Sequence, residues 1–204
     1  MLETIKYNKT ALKAQRDSLN KYQKFLPILV LKKMQLQMVI RQLEPIIEAK
    51  RRELEERVAG LKGWAAFLAD PEVNVEDFIR IQTVLTQTDN VAGVVVEEFE
   101  AVVFEERPYS LFATPAWLDP VIETLQGLIR TREELRVLLE RERLLREELR
   151  VTTQRVNLFE KRLIPELTEN IRRIKIFLGD EETAAVGRAK LAKAKTAQRG
   201  ANQI

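Results

Sequence analysis

Two long runs of heptad-spaced apolar residues, one at each end of the chain, most constrain what this sequence can fold into. In the first, Leu12, Leu19, Tyr22, Leu26, Leu29, Leu36, Ile40, Leu43, Ile47, Leu54, Leu61, Trp64 and Leu68 recur mostly three, four or seven residues apart. In the second, Leu128, Leu135, Leu139, Leu149, Val156, Phe159, Leu163, Leu167, Ile171, Ile174 and Leu178 repeat the pattern. Such spacing gives each helix one narrow apolar stripe, which must be covered by a partner. The expected fold is therefore mainly α: a long antiparallel two-helix coiled coil with a small β-hairpin and a short irregular region in the middle. Its seam is expected at Leu19, Leu26, Leu36, Ile40, Leu43 and Ile47 on one side. Val156, Phe159, Leu163, Leu167 and Ile174 are expected on the other. An elongated pair of helices offers little concave surface, so holding, spacing or transmitting force suits it better than chemistry.

Composition narrows the function further. With 32% charged residues and only 7 Gly and 7 Pro in 204 residues, the chain suits long solvated helices around a thin seam. Cys and His are absent, which excludes disulfides, thiolate metal sites, His relays and Cys nucleophiles. There is no Gly-rich phosphate loop ending in Lys-Ser or Lys-Thr. Acidic pairs such as Glu97-Glu98, Glu105-Glu106 and Glu147-Glu148 are adjacent residues that point in different directions, so they read as solvated surface. No catalytic, cofactor or metal residues are assigned. The net charge of +3 is slim against 34 basic and 31 acidic residues, and nucleic acid is not an expected partner. No apolar run reaches the roughly 18 to 20 residues of a membrane span, and the start lacks the features of a signal peptide. A cytoplasmic protein is expected.

Along the chain, four segments are expected. Residues 1–70 form the first long helix, capped near Asn8 to Thr10 and ending around Gly60, Gly63 and Asp70-Pro71. Pro27 and Pro45 lie inside this pattern and are expected to bend the helix rather than end it, because the apolar spacing resumes beyond both; real breaks with short loops are the alternative. Residues 71–118 change period. Ile79, Ile81, Thr83 and Leu85 alternate with Arg80, Gln82 and Val84, and Val94-Val95-Val96 follow Asp89-Asn90 and Gly93, as in two strands and a turn. Within it, Asn90, Gly93, Val94 and Val96 are candidate partner contacts if the hairpin projects; otherwise the hairpin only packs on the helices. An irregular loop over Arg107 to Pro120 contains Tyr109, Phe112 and Trp117, and Thr114-Pro115 or Asp119-Pro120 opens the second helix. That helix covers 119–182. The tail, 183–204, has Arg188, Lys190, Lys193, Lys195 and Arg199 with no acidic residue after Glu182. It reads as a helical extension into a partner, a frayed solvated end, or an anion-binding segment.

The most specific stretch is Thr153-Gln154-Arg155-Val156-Asn157-Leu158-Phe159-Glu160, with Ile164-Pro165 downstream. It resembles the Thr-x-x-Arg-Val-Asn-x-x-Glu pattern, followed by Ile-Pro, of the D subunit of the vacuolar/archaeal-type rotary ATPases. Asn90-Val91-Ala92-Gly93-Val94-Val95-Val96 is similar to that family's Asn-apolar-x-Gly-Val-x-apolar signature. Asn8-Lys9-Thr10 and Leu29-Val30-Leu31-Lys32-Lys33 resemble its start. Differences fall at Gln154, where paired arginines are common, at Glu97, where proline is, and over Asp180 to Arg188.

The resemblance implies a non-catalytic central rotor shaft, whose paired helices stand inside the ring of catalytic and non-catalytic head subunits that bind the ATP. It also implies a small companion of the rotor, the F subunit, and a funnel-shaped subunit linking the shaft to the membrane ring. The implied place is peripheral to the membrane, and the basic tail would meet the head. A free-standing coiled-coil adaptor is the alternative from another class. A nucleic-acid-binding rod using the basic tail is a weaker third.

Overall fold

A computed structural model describes residues 6–65, 75, 78–105 and 114–201, with side chains described to residue 196. Helix α1 covers Lys9–Leu61 and passes into a single 3-10 turn at Lys62–Trp64. Strands β1 (Ile81–Val91) and β2 (Val94–Phe104) form a two-stranded antiparallel sheet. Helix α2 covers Leu118–Leu158, a π turn covers Phe159–Leu163, and helix α3 covers Ile164–Ala201. The expected loop residues Arg107, Pro108, Tyr109 and Phe112, and the expected helical stretch from Ala66 to Asp70, lie outside the described residues.

Helix α1 starts where a cap is available. The Asn8 side-chain oxygen accepts a hydrogen bond from Ala11 N–H at 2.7 Å, satisfying one of the donors a first turn leaves orphaned. The helix then runs unbroken through Pro27 and Pro45, because apolar packing on its other face outweighs the hydrogen bond each ring removes. Helix α2 begins at Leu118, so Pro120 is its third residue rather than its first. That position is equally tolerant, since the first-turn N–H groups have no helical partner. The Thr124 hydroxyl donates to the Pro120 carbonyl at 2.7 Å.

The chain divides into two compact units, residues 1–31 with 153–204, and residues 32–152. In the unit of residues 32–152, α1 and α2 run antiparallel. Lys32, Glu44 and Lys50 pair with Glu148, Arg146 and Glu134 at 2.6, 2.7 and 2.9 Å, so ascending numbers on α1 meet descending numbers on α2. Between them lies a core of Leu36, Ile40, Leu43, Ile47, Leu135 and Leu145, with Leu54, Leu138, Leu144 and Leu149 partly buried beside it. A second cluster joins Val75, Leu118 and Val121 with Trp64, Trp117, Phe78, Ile79 and Leu125.

Two residues of the heptad runs depart from the inward stripe. Leu139 is 38% exposed, while its neighbour Leu138 packs against the core and, in the next doublet, Leu145 at 0% is the inward residue. The doublets Leu138-Leu139 and Leu144-Leu145 each offer two registers, and only packing selects between them. Trp64 belongs to the second cluster, because α1 has already given way to the 3-10 turn at that point.

In the unit of residues 1–31 with 153–204, the start of α1 pairs with the end of α2 and α3, again antiparallel. Tyr22 meets Phe159 with ring centroids 4.8 Å apart, and Tyr7 meets Phe177 at 5.1 Å. Val156, Ile171 and Ile174 are buried, while Leu19, Leu26, Phe159, Leu163 and Leu167 are half-buried. The thinness of a two-helix seam explains the difference: one partner covers only one side of each knob.

The π turn has an identifiable cause. Pro165 has no N–H, and its ring in a regular helix would meet the carbonyl four residues earlier, that of Lys161. Here Ile164 N–H donates to the Phe159 carbonyl instead, five residues back, and the wider turn accommodates the ring.

Candidate interaction surfaces

The hairpin is built by local chemistry. Ala92 and Gly93, the two loop residues, have φ of 51° and 80°, the left-handed pair that a two-residue type I′ turn requires to match the twist of its strands. The Asn90 side-chain oxygen accepts from Gly93 N–H at 2.9 Å, and Asp89 accepts from Asn90 N–H at 2.7 Å. Gly93 carries the larger φ without a Cβ penalty, whereas Ala92 bears strain.

One face of the hairpin docks on the helix pair. Val96 is 1% exposed and joins Leu36, Ile40, Leu135 and Leu145, with Val91, Ala92 and Val94 partly buried beside it. The neighbouring Val95 is 64% exposed, as the alternation of a strand demands. Of the hairpin residues singled out from sequence, Val96 and Val94 thus face the chain's own core, while Asn90 and Gly93 lie at the turn. An ionic lock adds to the apolar contact. Arg141, only 14% exposed at its side chain, lies 2.9 Å from Asp89 and 3.9 Å from Glu98. Its Nε is buried without a hydrogen-bond partner among the described residues. Arg130 stacks over the Phe104 ring at 5.5 Å. Sequence reasoning missed both arginines, since a charge on a charge-rich helix gives no sign of the strand it will meet.

The outer surface of α2 carries a repeating device. Glu133–Arg136, Glu140–Arg143 and Glu147–Arg150 are ion pairs at 2.6, 2.7 and 2.6 Å, each within the helix, and each lies one heptad beyond the last. Glu169 continues the theme in α3, accepting from Arg172 and Arg173. Hydrogen bonds from Arg172, then Arg173, pull the Glu169 carboxyl down to about 2. Burial pushes the Glu133 carboxyl up, but Arg136 and Arg132 outweigh it and hold the group below its usual range. The exposed pairs at Glu140 and Glu147 add little stability, whereas Glu133 is itself buried and depends on its arginines. The effect of the pairs is to neutralise charge locally, leaving a polar surface with few free charges to grip a neighbour.

The α1 surface in the same unit is different. Met34, Met38 and Ile46 are 60, 56 and 47% exposed, and their spacing puts them on one helix face with Gln35, Gln42 and Pro45 between them. Ordinary solvated helices carry charges there; an uncharged, Met-rich strip suits contact with another protein.

The tail continues α3. Lys9 pairs with Glu182 at 3.5 Å, and every described side chain from Thr183 to Lys195 is exposed, including Arg188, Lys190, Lys193 and Lys195. Arg199 lies in the helix, but its side chain is outside the described residues. Residues 183–201 therefore form a helical extension of about 28 Å at 1.5 Å per residue. Among the described residues, no cluster of His, Cys, Asp or Glu could hold a metal ion, and no helix is long and apolar enough to cross a membrane.

These features define a class: helices paired antiparallel through a thin seam, a β-hairpin docked on one flank, and interaction surfaces where a cleft would otherwise be. The particular family follows from comparison. The family model for the D subunit of ATP synthase matches residues 11–194. The chain is 37% identical to the V-type ATP synthase D subunit of Borreliella burgdorferi over the full length of both. It is 35% identical to that of Chlamydia abortus, covering 98% of this chain and 97% of the relative. It is 32% identical to that of Chlamydia trachomatis serovar L2, covering 97 and 98%. The chain belongs to the family of ATP synthase D subunits.

Proposed function

We propose that this chain is the non-catalytic central rotor subunit of a V/A-type ATPase or ATP synthase, coupling ATP turnover in a head to ion transport in a membrane sector. The observation that carries this reading is the match to V-type ATP synthase D subunits over essentially the whole chain, both helical ends and the hairpin included. The surfaces are consistent with it. A self-neutralised ladder on α2 can move past a neighbour without a strong grip, while the uncharged strip on α1 and the exposed side of the hairpin can hold partners that turn with it.

The mechanism would be coupling through differential contact. A rotor whose faces differ, standing inside a ring of nominally equivalent sites, presents each site with a different surface. Turning it then shifts which site favours binding, hydrolysis or release; equal contact with every site would bias none. Arg188, Lys190, Lys193, Lys195 and Arg199 would meet the head, where cations on a helix find carboxylates and carbonyls. The Met34, Met38 and Ile46 strip would seat the small companion of the rotor, and the exposed hairpin face would lie toward the subunit linking the rotor to the membrane ring. The chain itself would bind no cofactor and sit outside the membrane as a peripheral part of the complex.

The test is reconstitution of the complete complex with a chain lacking Ala184 to Ile204. ATP-driven proton or sodium pumping per ATP hydrolysed should fall severalfold while the truncated chain keeps its melting temperature. Undiminished pumping by the truncated protein would refute the role given to the tail. Failure of the intact chain to enter the complex would refute the rotor reading itself.

A further inference from the structure

The two compact units differ sharply in charge. Residues 1–31 with 153–204 hold 17 Lys/Arg against 8 Asp/Glu, a net of +9, and residues 32–152 hold 17 against 23, a net of −6. The overall +3 conceals this division.

Pairing sharpens the contrast. In the unit of residues 32–152, Lys32, Lys50, Arg57, Arg136, Arg141, Arg143, Arg146 and Arg150 all lie within 4 Å of a carboxylate. In the other unit, Lys13, Arg16, Lys24 and Lys175 have no such partner among the described residues. Their placement is ordered. Lys9, Lys13, Arg16, Asn20 and Lys24 follow one another at spacings of three or four, which puts them on a single face of α1. Lys9, Lys13 and Arg16 line one side of a groove whose other side carries Lys175 and Glu182.

We propose that this basic ridge, Lys9, Lys13, Arg16 and Lys24 with Lys175 across the groove, is a docking surface for an acidic protein face, and that it sets the rate at which the terminal unit enters its complex. The carboxylates interleaved with it, Asp17 and Glu182 in the groove itself, argue for a protein rather than a nucleic acid. A duplex presents a phosphate every ~1.7 Å and would be repelled by them, whereas a protein face can answer both signs. The physical effect is steering: unneutralised charge on one unit, with the opposite sign on the other, biases diffusional encounters toward the basic unit and accelerates association, with a steep dependence on salt.

The inference rests on the rotary-complex reading only for the identity of the partner. The test uses the full chain and the remaining subunits of the complex, immobilised. The association rate should fall more than ~10-fold from about 50 to about 500 mM NaCl. The Lys13→Gln, Arg16→Gln, Lys175→Gln variant should associate at least ~10-fold more slowly at the low salt concentration, with its dissociation rate and melting temperature unchanged. A Lys33→Gln, Arg52→Gln control, which removes two charges from the other unit, should associate as the parent does. An association rate indifferent to salt and to the triple substitution, or slowed equally by the control, overturns the proposal. So does a triple variant that loses binding to polyuridylate or to phosphatidylserine vesicles while its association with the complex is normal. If the parent chain does not associate with the complex at all, the rotary-complex reading falls with it.

Discussion

Val95 and Val96 are chemically identical neighbours on β2 with opposite surroundings, and together they test whether the hairpin is held by one face. Val96→Ala removes two methyl groups from a fully enclosed site in the core cluster that includes Leu36, Ile40, Leu43, Ile47, Leu135 and Leu145. At about 0.8 kcal/mol for each buried carbon, the transfer loss is about 1.6 kcal/mol. The space left behind adds to it at about 24 cal/mol per Å³ of unrelaxed cavity, giving about 2 to 3 kcal/mol in all. Val95→Ala starts from a side chain that is 64% exposed, and its cost should stay within about 0.5 kcal/mol. Native-state amide exchange is the suitable assay, because a chain with two compact units need not unfold in one step. Amides of Val84 to Val103 should lose roughly 30- to 150-fold of protection in the Val96 variant, as about 2 to 3 kcal/mol requires, and almost none in the Val95 variant. Equal loss in both variants would refute the one-sided docking on which the assignment of inner and outer hairpin faces depends.

Three further outcomes are expected. Ala92→Asn should relieve left-handed strain at a position with φ 51° and stabilise the hairpin by on the order of 1 kcal/mol, seen as slower exchange at the turn; faster exchange would contradict the I′ assignment. Pro165→Ala returns the missing donor, so the π turn at Phe159–Leu163 should revert to α-helix and the amides of Lys161 to Glu166 should exchange at least ~10-fold more slowly; unchanged exchange would show that the proline does not cause the turn. Glu133 is charged below its usual range in the folded state, so the stability it contributes is present above the unfolded carboxylate range near about 4.3 and is lost as pH falls through the lower folded value. Glu133→Gln should therefore cost about 1 to 2 kcal/mol at pH 7 and flatten the loss of stability on acidification, read from urea midpoints at pH 7 and pH 3; an acid slope equal to the parent's would refute this.

How much was legible in the sequence depended on whether a signal was local. The Asn8 cap and the hairpin around Gly93 rest on backbone chemistry within a few residues, and the structure shows both; the continuation of α1 through Pro27 and Pro45 was signalled by the apolar spacing that resumes beyond each proline. The seam positions Leu36, Ile40, Leu43 and Ile47 fall on one helical stripe at spacings of three and four, which leaves one register. Doublets such as Leu144-Leu145 leave two, and there the heptad rule could not choose. The π turn was hidden because Pro165 by itself signals only a disturbance, which a kink, a break or a widened turn would all relieve. Arg141 was illegible for another reason: its meaning lies in Asp89, 52 residues away, and no spacing rule connects a helix to the strand that will lie across it. Charge segregation was present in the composition, but it became visible only when the fold brought residues 1–31 and 153–204 into one unit.

The central claim, that this chain turns relative to the ATP-binding head, can be measured directly because the sequence contains no Cys. Val95→Cys then provides one reactive thiol in this chain, on an exposed side chain, to which a gold nanorod can be attached in a head–rotor complex freed of the linking subunit and immobilised through its head. On addition of ATP the rod should rotate continuously in one direction, at a rate proportional to ATP turnover. A rod that stays fixed while the same complexes hydrolyse ATP would contradict the account.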